Sequence, residues 1–291
     1  MVRALRVFFQ GEPGAFSEEA VRAFFGDAVD AEAVPSWRAV FDAVRDESAA
    51  AGVAAIESSL AGSIRETYDL LGEFYDDGIR IVGEVSVPVR LALVALPGQS
   101  IERIERVYSH TQALAQADEF LRARDWQVMT TYNTAGAARM IAEEREPGAA
   151  AIASPRAAAL YGLAVLAENI QTGGDNRTRF AVLARDGFEA NGASPALAAA
   201  RGDRPRKTTL VFAVRNVPGS LHRCLGAFAS RGVNLSRLES RPARTARWEY
   251  VFWVDVDADA RDETCAAAID ELRAEAQMVR ILGTYPRALE D

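Results

Sequence analysis

Hydrophobic and polar positions along this 291-residue chain fall into two rhythms. From residue 5 to about 185, short runs rich in β-branched and aromatic residues alternate with segments whose apolar positions recur at helical spacing. LRVFFQ (5–10) predicts a buried strand, and in FSEEAVRAFFG (16–26) Phe16, Ala20, Val21 and Phe24 share one helical face. SWRAVFDAVRD (36–46) predicts a helix, GVAAIES (52–58) a strand, and IRETYDLLGEFYDD (64–77) a helix. IRIVGEVSVPVRLALVAL (79–96) predicts one long strand, bent near Pro88. The strand RVYS, a helix over 111–124, the strand QVMTTY, a helix over 134–146 and the strand AAAIAS (149–154) follow. A short helix after Pro155 and the strands AVLAENI and TRFAVLAR close the region. Such alternation predicts α/β architecture with mostly parallel, doubly covered sheets. The segments before and after the long strand read as two lobes, split near 80–90.

The second rhythm begins after GFEANGASPALAAARGDRPR, which starts at Gly187 and reads as a linker over 188–206. KTTLVFAVR predicts a strand, and PGSLHRCLGAFASRG a helix with Pro218 near its start and Gly232 as its stop. VNLSRLESRPA and WEYVFWVDVDA predict two alternating strands. RDETCAAAIDELRAEA predicts a second helix and QMVRILGTYPR a last strand. The order βαββαβ is the ferredoxin-like arrangement, and it fills a second domain over 207–287 after a first over 1–187.

Composition adds little except exclusions. A net charge of −8 argues against non-specific nucleic-acid binding. No apolar run reaches the length of a membrane span, and the first apolar run meets a Gly/Pro turn by residue 11, too early for a secretory leader. Cys224 and Cys265 lie in helix-patterned segments and predict neither a disulfide nor a metal site. These features predict a cytoplasmic protein with no membrane or nucleic-acid partner.

Candidate chemistry gathers at strand-to-helix junctions: GEPGAFS (11–17), ESSLAGS (57–63), SHTQ (109–112), NTAG (133–136) and ASP (153–155). In an open α/β sheet such points lie together at the carboxyl edge, and each helix start there suits an anion. The same residues are also good helix caps, so each junction alone reads either way. QTGGDNRTRF (171–180) is a further candidate, because its Gly173-Gly174 loop delivers Arg177, Thr178 and Arg179 to the start of a strand. In a regular strand Thr178 and Arg179 face opposite sides, so both reach one ligand only if the strand begins irregularly. The sequence contains no P-loop, nucleophile elbow or dinucleotide fingerprint, and its histidines are His110 and His222 alone. Glu57 is the one acid placed like a catalytic group. Any reaction therefore rests on positioning and hydrogen bonding around an anion, with no metal and no cofactor.

These residues resemble the prephenate dehydratase family over nearly the whole chain. GEPGAFSEEA is similar to the family's opening glycine-rich motif, IESSLAGSI (56–64) to its Ile-Glu-Asn-Ser segment, and SHTQALAQ (109–116) to its His-Pro-Gln-Ala-Leu segment. NTAGAA (133–138), AAIASPRAAALYGL (150–163) and the Thr-Arg-Phe of NRTRF (176–180) follow in the family's order. NVPGSLHRCLGAFASRGVNLSRLESRP resembles an ACT regulatory domain. Ser58 stands where the family has Asn, Thr111 where it has Pro, and Ser220 where it has Ala.

The resemblance implies a two-lobed, periplasmic-binding-protein-like catalytic domain whose last strand returns to the first lobe, followed by the ACT domain. It implies conversion of prephenate to phenylpyruvate with loss of carbon dioxide and water, in phenylalanine biosynthesis. By the same resemblance Thr178 donates to the leaving hydroxyl, Arg179 pairs with a substrate carboxylate and Phe180 walls the ring. Glu57, Ser58, Ser59, Asn133, Thr134, Ala135 and Asn176 complete the pocket. Phenylalanine is implied as an allosteric effector held by Asn216, Pro218, Gly219, Ser220, Leu221, Asn234, Glu239, Ser240, Arg241 and Pro242, in a homodimer or homotetramer. Arogenate dehydratase, a non-catalytic phenylalanine sensor and a solute-binding module are the competing readings.

Overall fold

Val7, Phe8 and Phe9 are all buried, which a strand achieves only when both its faces are covered. Arg6–Gln10 (β1) accordingly lies inside a helix-flanked sheet. The computed structural model describes residues 4–47, 50–188, 204–242 and 250–288, and within them the chain forms three sheets. The first unites β1 with Asp30–Val34 (β2), Ala51–Ser58 (β3), Gly62–Ser63 (β4), Ile79–Pro88 (β5) and Arg177–Arg185 (β11). Its order is β2-β1-β3-β11-β5, with β4 paired to β3. Helices Phe16–Phe25 (α1), Trp37–Asp46 (α2) and Arg65–Glu73 (α3) pack around it. Ser36 caps α2 by accepting from the Ala39 N–H.

The second sheet holds Ala92–Ala95 (β6), Arg106–His110 (β7), Gln127–Thr131 (β8), Ala149–Ala153 (β9) and Ala164–Ala167 (β10), in order β10-β6-β9-β7-β8. Its helices are Thr111–Gln116 (α4), Asp118–Arg122 (α5), Thr134–Glu144 (α6) and Pro155–Tyr161 (α7). The single helix expected over 111–124 is thus broken at Ala117, whose N–H is shared between the Ala113 and Leu114 carbonyls.

The long strand expected over 79–96 is also divided. β5 stays in the first sheet and β6 joins the second, because Pro88 has no N–H with which to continue a ladder. The chain returns after β10, and the two crossings are tied by Val89 N–H to Asn176 O (2.7 Å) and Ile170 N–H to Leu91 O (3.0 Å). This return makes the sheets less parallel than expected. β1 runs parallel to β2 and β3, and β7 to β8 and β9. β11 re-enters antiparallel to both β3 and β5, and β6 is antiparallel to β9 and β10.

The third sheet comprises Arg206–Ala213 (β12), Leu235–Pro242 (β13), Tyr250–Val256 (β14) and Met278–Pro286 (β15). All its pairings are antiparallel, in the ferredoxin-like order β13-β14-β12-β15. Side chains alternate along β12: Leu210 and Phe212 pack with helices Ser220–Ala229 (α8) and Glu263–Glu275 (α9), while Val211 faces the first lobe. On that face Val211, Trp253, Leu282 and Tyr285 share one core with Tyr68, Leu71, Phe74 and Ile81. The Tyr68 and Trp253 rings meet edge-on at 5.1 Å. Cys224 and Cys265 are buried free thiols. Most of the expected linker, residues 189–203, lies outside the described residues.

Candidate active site

A cleft of about 290 Å³ opens between the two lobes. Three of the five junctions meet there: Gly11, Ala15, Phe16 and Ser17 around the start of α1, His110 and Gln112 around the start of α4, and Asn133 and Thr134 at the start of α6. Thr178 of β11 belongs to the same wall, and Phe16, Trp37, Ile64, Val89 and Leu91 give it an apolar component. No side chain caps α1; the Glu18 and Glu19 N–H groups turn to the Ala15 carbonyl and the Glu18 carboxylate takes the Gly14 N–H, so the Phe16 and Ser17 N–H groups are the ones offered to an anion. At α6 the Asn133 Oδ1 accepts from the Gly136 N–H, which leaves the Asn133 amide NH₂ as a donor. His110 Nδ1 accepts from the Gln112 N–H at 3.3 Å, so the neutral ring carries its proton on Nε2.

The loop before α1 also ties the lobes together. Tyr132 Oη donates to Glu12 at 2.9 Å, and Arg139 pairs with the same carboxylate at 3.3 Å. Ser154 donates to the Gly14 carbonyl (2.8 Å), Tyr161 to the Pro13 carbonyl (2.9 Å), and Arg156 pairs with Glu18 at 2.8 Å. Gly14 has φ +89°, and a Cβ there would lie 2.9 Å from Ala157 Cα, so this approach requires glycine. Burial pushes the Glu18 carboxyl up, but the Gly14 N–H and Arg156 outweigh it and hold the group below its usual range. In neighbouring Glu19 burial wins over Ser154 and Arg156, and the pKa is pushed up to about 7.

The Arg177–Phe180 run divides between the faces of β11. Thr178 lines the cleft, but Arg179 does not: its guanidinium lies on the opposite face, paired with Glu57 (2.7 Å), Asp255 (3.0 Å) and Glu84 (3.2 Å). The expected irregularity is present as a bulge between Arg179 and Phe180 against β3, yet it falls after Arg179 and leaves the alternation of 178 and 179 intact. Phe180, 2% exposed, packs with Val7, Phe9 and Val53 in the core and does not wall the cleft. Arg177 donates to the Ser86 hydroxyl and carbonyl. Among the described residues, no Arg, Lys, Asp or Glu lines the cleft.

Other expected pocket residues are likewise elsewhere. Glu57 turns to Arg179, and Ser58 is buried with its hydroxyl accepting from the Leu60 and Ala61 N–H groups. Ser59 bonds Asp175 O and Arg177 N–H, beside a second cavity of about 380 Å³ between the first lobe and the C-terminal domain. Ala135 is buried within α6, and Asn176, 4% exposed, sits at the crossing with no partner for its amide among the described residues. Asn133 and Thr134 do line the cleft. Sequence reasoning missed Trp37, Ile64 and Gln116 there, and it marked His110 and Gln112 only as part of the SHTQ junction. Trp37 and Ile64 follow strand ends, the one signal that could have marked them.

The expected effector residues lie on α8, its preceding loop and β13. Asn216, Pro218 and Gly219 are exposed, Ser220 is buried with its hydroxyl on Val217 O, and Leu221 packs into the domain core. Asn234 donates to Asp257, and Ser240 and Pro242 are exposed. Glu239 and Arg241 are instead engaged with the first lobe: Glu239 accepts from Ser63, and Arg241 pairs with Asp69 at 2.8 Å. No group of three or more His, Cys, Asp or Glu placed to hold a metal ion is found among the described residues, and no helix there is long and apolar enough to cross a membrane.

Residues 7–187 match the family described as prephenate dehydratase, and residues 208–274 match the ACT domain. The chain is 34% identical to a bifunctional chorismate mutase/prephenate dehydratase of Aquifex aeolicus, over 99% of this chain and 75% of that protein. It is 41% identical to arogenate dehydratase 1 of Petunia hybrida, over 97% of this chain and 67% of that protein. Among solved structures, the prephenate dehydratase of Arthrobacter aurescens in complex with L-Phe superposes with a TM-score of 0.82 at 34% identity, covering 97% of this chain and 90% of that one.

Proposed function

The chain belongs to the prephenate dehydratase family, and from that premise we propose that it converts prephenate to phenylpyruvate in phenylalanine biosynthesis. One observation carries the proposal: within Arg177–Phe180, Thr178 alone lines the cleft, facing the starts of α1 and α6. Prephenate loses its ring carboxylate as carbon dioxide. The electrons of the broken C–C bond pass through the ring diene and expel the ring hydroxyl, which takes a proton and leaves as water. Aromatisation drives this, so the protein must hold the dianion and assist the departing oxygen.

Thr178 donates a hydrogen bond that strengthens as negative charge develops on that oxygen. His110, with its proton on Nε2, is a second proton-bearing group in the cleft. The remaining carboxylate binds at the helix N-termini, where backbone N–H groups and the dipole take the part expected of an arginine. Phe16 and Trp37 pack against the ring.

Arogenate carries an ammonium where prephenate has a keto group, and the Petunia relative's name makes it the second reading. Among the described residues the cleft lining holds no Asp or Glu, and Glu12 at its mouth is already engaged by Tyr132 and Arg139, which favours the keto substrate over one carrying an ammonium. We further propose that phenylalanine inhibits through the ACT domain of a homo-oligomer, a reading supported by the ACT match and by the L-Phe-bound Arthrobacter relative.

The test is phenylpyruvate formation from prephenate by the purified chain, with and without phenylalanine, beside Thr178→Ala. Turnover that the substitution abolishes and phenylalanine suppresses supports both halves. Turnover of arogenate alone, to phenylalanine, moves the substrate assignment. Inactivity on both substrates favours a sensor, and turnover indifferent to phenylalanine removes the regulatory half.

A further inference from the structure

Behind Thr178, on the other face of β11, lies an ion cluster built from both domains. Arg179 reaches Glu57 of β3 and Glu84 of β5, the strands flanking its own, and also Asp255 of β14 in the C-terminal domain. Glu84 in turn accepts from Lys207 Nζ at 3.0 Å and from the Ala288 N–H. The Glu84 and Asp255 side chains are 1% and 4% exposed, and with Arg179 and Lys207 they line the cavity between the first lobe and the C-terminal domain, so these pairs are screened less than surface pairs. Asp255 is itself fixed: Thr209 Oγ1 donates to it at 2.7 Å and is hydrogen-bonded to the buried Tyr285 hydroxyl at 2.6 Å.

We infer that Asp255 is a positioning residue for Thr178, acting from the C-terminal domain through Arg179. The inference rests on the dehydratase reading above. Thr178 and Arg179 are joined by one peptide unit, so the roll of the strand that aims one aims the other. The bulge between Arg179 and Phe180 interrupts the pairing with β3 alone, while the ladder to β5 runs unbroken from Arg177 to Val182, so one ladder and the side-chain anchors set that roll together. Two of the three anchors move with the first lobe. The third does not, and it makes the aim of the Thr178 hydroxyl depend on how the C-terminal domain is seated.

Asp255→Asn is the direct test, because it leaves no bare charge: two cations face three carboxylates in the parent and two in the variant. With full-length protein, prephenate turnover should show kcat about tenfold lower and KM within about twofold, the signature of a misaimed group in a formed cleft. Because Asp255 acts through Thr178, the double variant Thr178→Val/Asp255→Asn should be no slower than Thr178→Val alone. Thr209→Val, which frees Asp255 without changing charge, should give a smaller loss of the same kind, and it decides the matter by the same double-variant comparison if Asp255→Asn fails to unfold cooperatively. A parental kcat in Asp255→Asn, or factors that multiply in the double variant, overturns the inference while leaving the enzyme assignment intact. A parent chain inactive on prephenate and arogenate overturns both.

Discussion

Glu12 and Tyr132 meet across the mouth of the cleft, carboxylate to phenol at 2.9 Å, one from each lobe. Arg139 joins both, donating to the Tyr132 oxygen at 2.9 Å and to Glu12 at 3.3 Å. These contacts are exposed, and exposed polar pairs are worth roughly 0.2–1 kcal/mol. Tyr132→Phe should therefore raise KM by about fivefold at most and leave the unfolding midpoint nearly unchanged. Steady-state kinetics beside a urea titration separate the two effects, and an unchanged KM would remove the pair from any role in shaping the cleft.

The Thr178 hydroxyl should be separable from its methyl group. Thr178→Ser keeps a donor and should retain activity within about tenfold, whereas isosteric Thr178→Val should lose about a hundredfold or more in kcat, the usual effect of deleting one donor to a developing oxyanion. A Val variant as active as the Ser variant would shift the proton-donor role towards His110.

Gly283 marks the tightest approach between the domains. A Cβ there would lie 2.0 Å from Ile81 O, so Gly283→Ala should destabilise by about 3 kcal/mol or more, beyond ordinary overpacking because the obstacle is backbone. Gly226→Ala, inside α8 with nothing within 4 Å, should instead stabilise by about 0.5–1 kcal/mol. Urea unfolding of the two variants provides the contrast.

Glu19 gives a pH signature. Its pKa rises from 4.5 to about 7 on folding, so between those values the folded chain holds more protons than the unfolded one and stability falls as pH rises. Glu19→Gln removes the loss. The variant should match the parent below about pH 4.5 and exceed it above about pH 7, by at most about 3 kcal/mol. Equal stability of the two proteins at about pH 8 would show that the carboxylate is not penalised by its setting.

Periodicity was enough to read the fold because most elements bury a regular face, as β12 does with Leu210 and Phe212 on one side and Val211 on the other. Several local features escaped it, among them the edge strand β2 and the break between α4 and α5. An unbroken apolar run does not reveal that β5 and β6 belong to different sheets, and the two-residue β4 carries no period at all. In the site, Asn133, Thr134 and Thr178 were legible as polar residues at junctions and strand starts, where capping competes with binding, and the family resemblance tipped the reading to the pocket. Arg179 and Glu57 were each legible as charged strand-end residues but not as partners of one another or by direction, which involves a domain that begins more than twenty residues further along. Trp37 and Ile64 were passed over inside helix-patterned segments, since one sequence cannot distinguish an apolar residue facing a ligand from one facing another side chain.

The position of β11 also has a consequence for how the chain is made. Synthesis runs from the N-terminus, and elements that pair across long separations form late. β6 to β10 are contiguous between Ala92 and Ala167, so the second lobe has all its strands before Arg177–Arg185 leaves the ribosome. Until then β3 and β5 stand with an empty lane between them. The strand that fills the lane brings Thr178 with it, so no nascent fragment ending before it holds an assembled cleft.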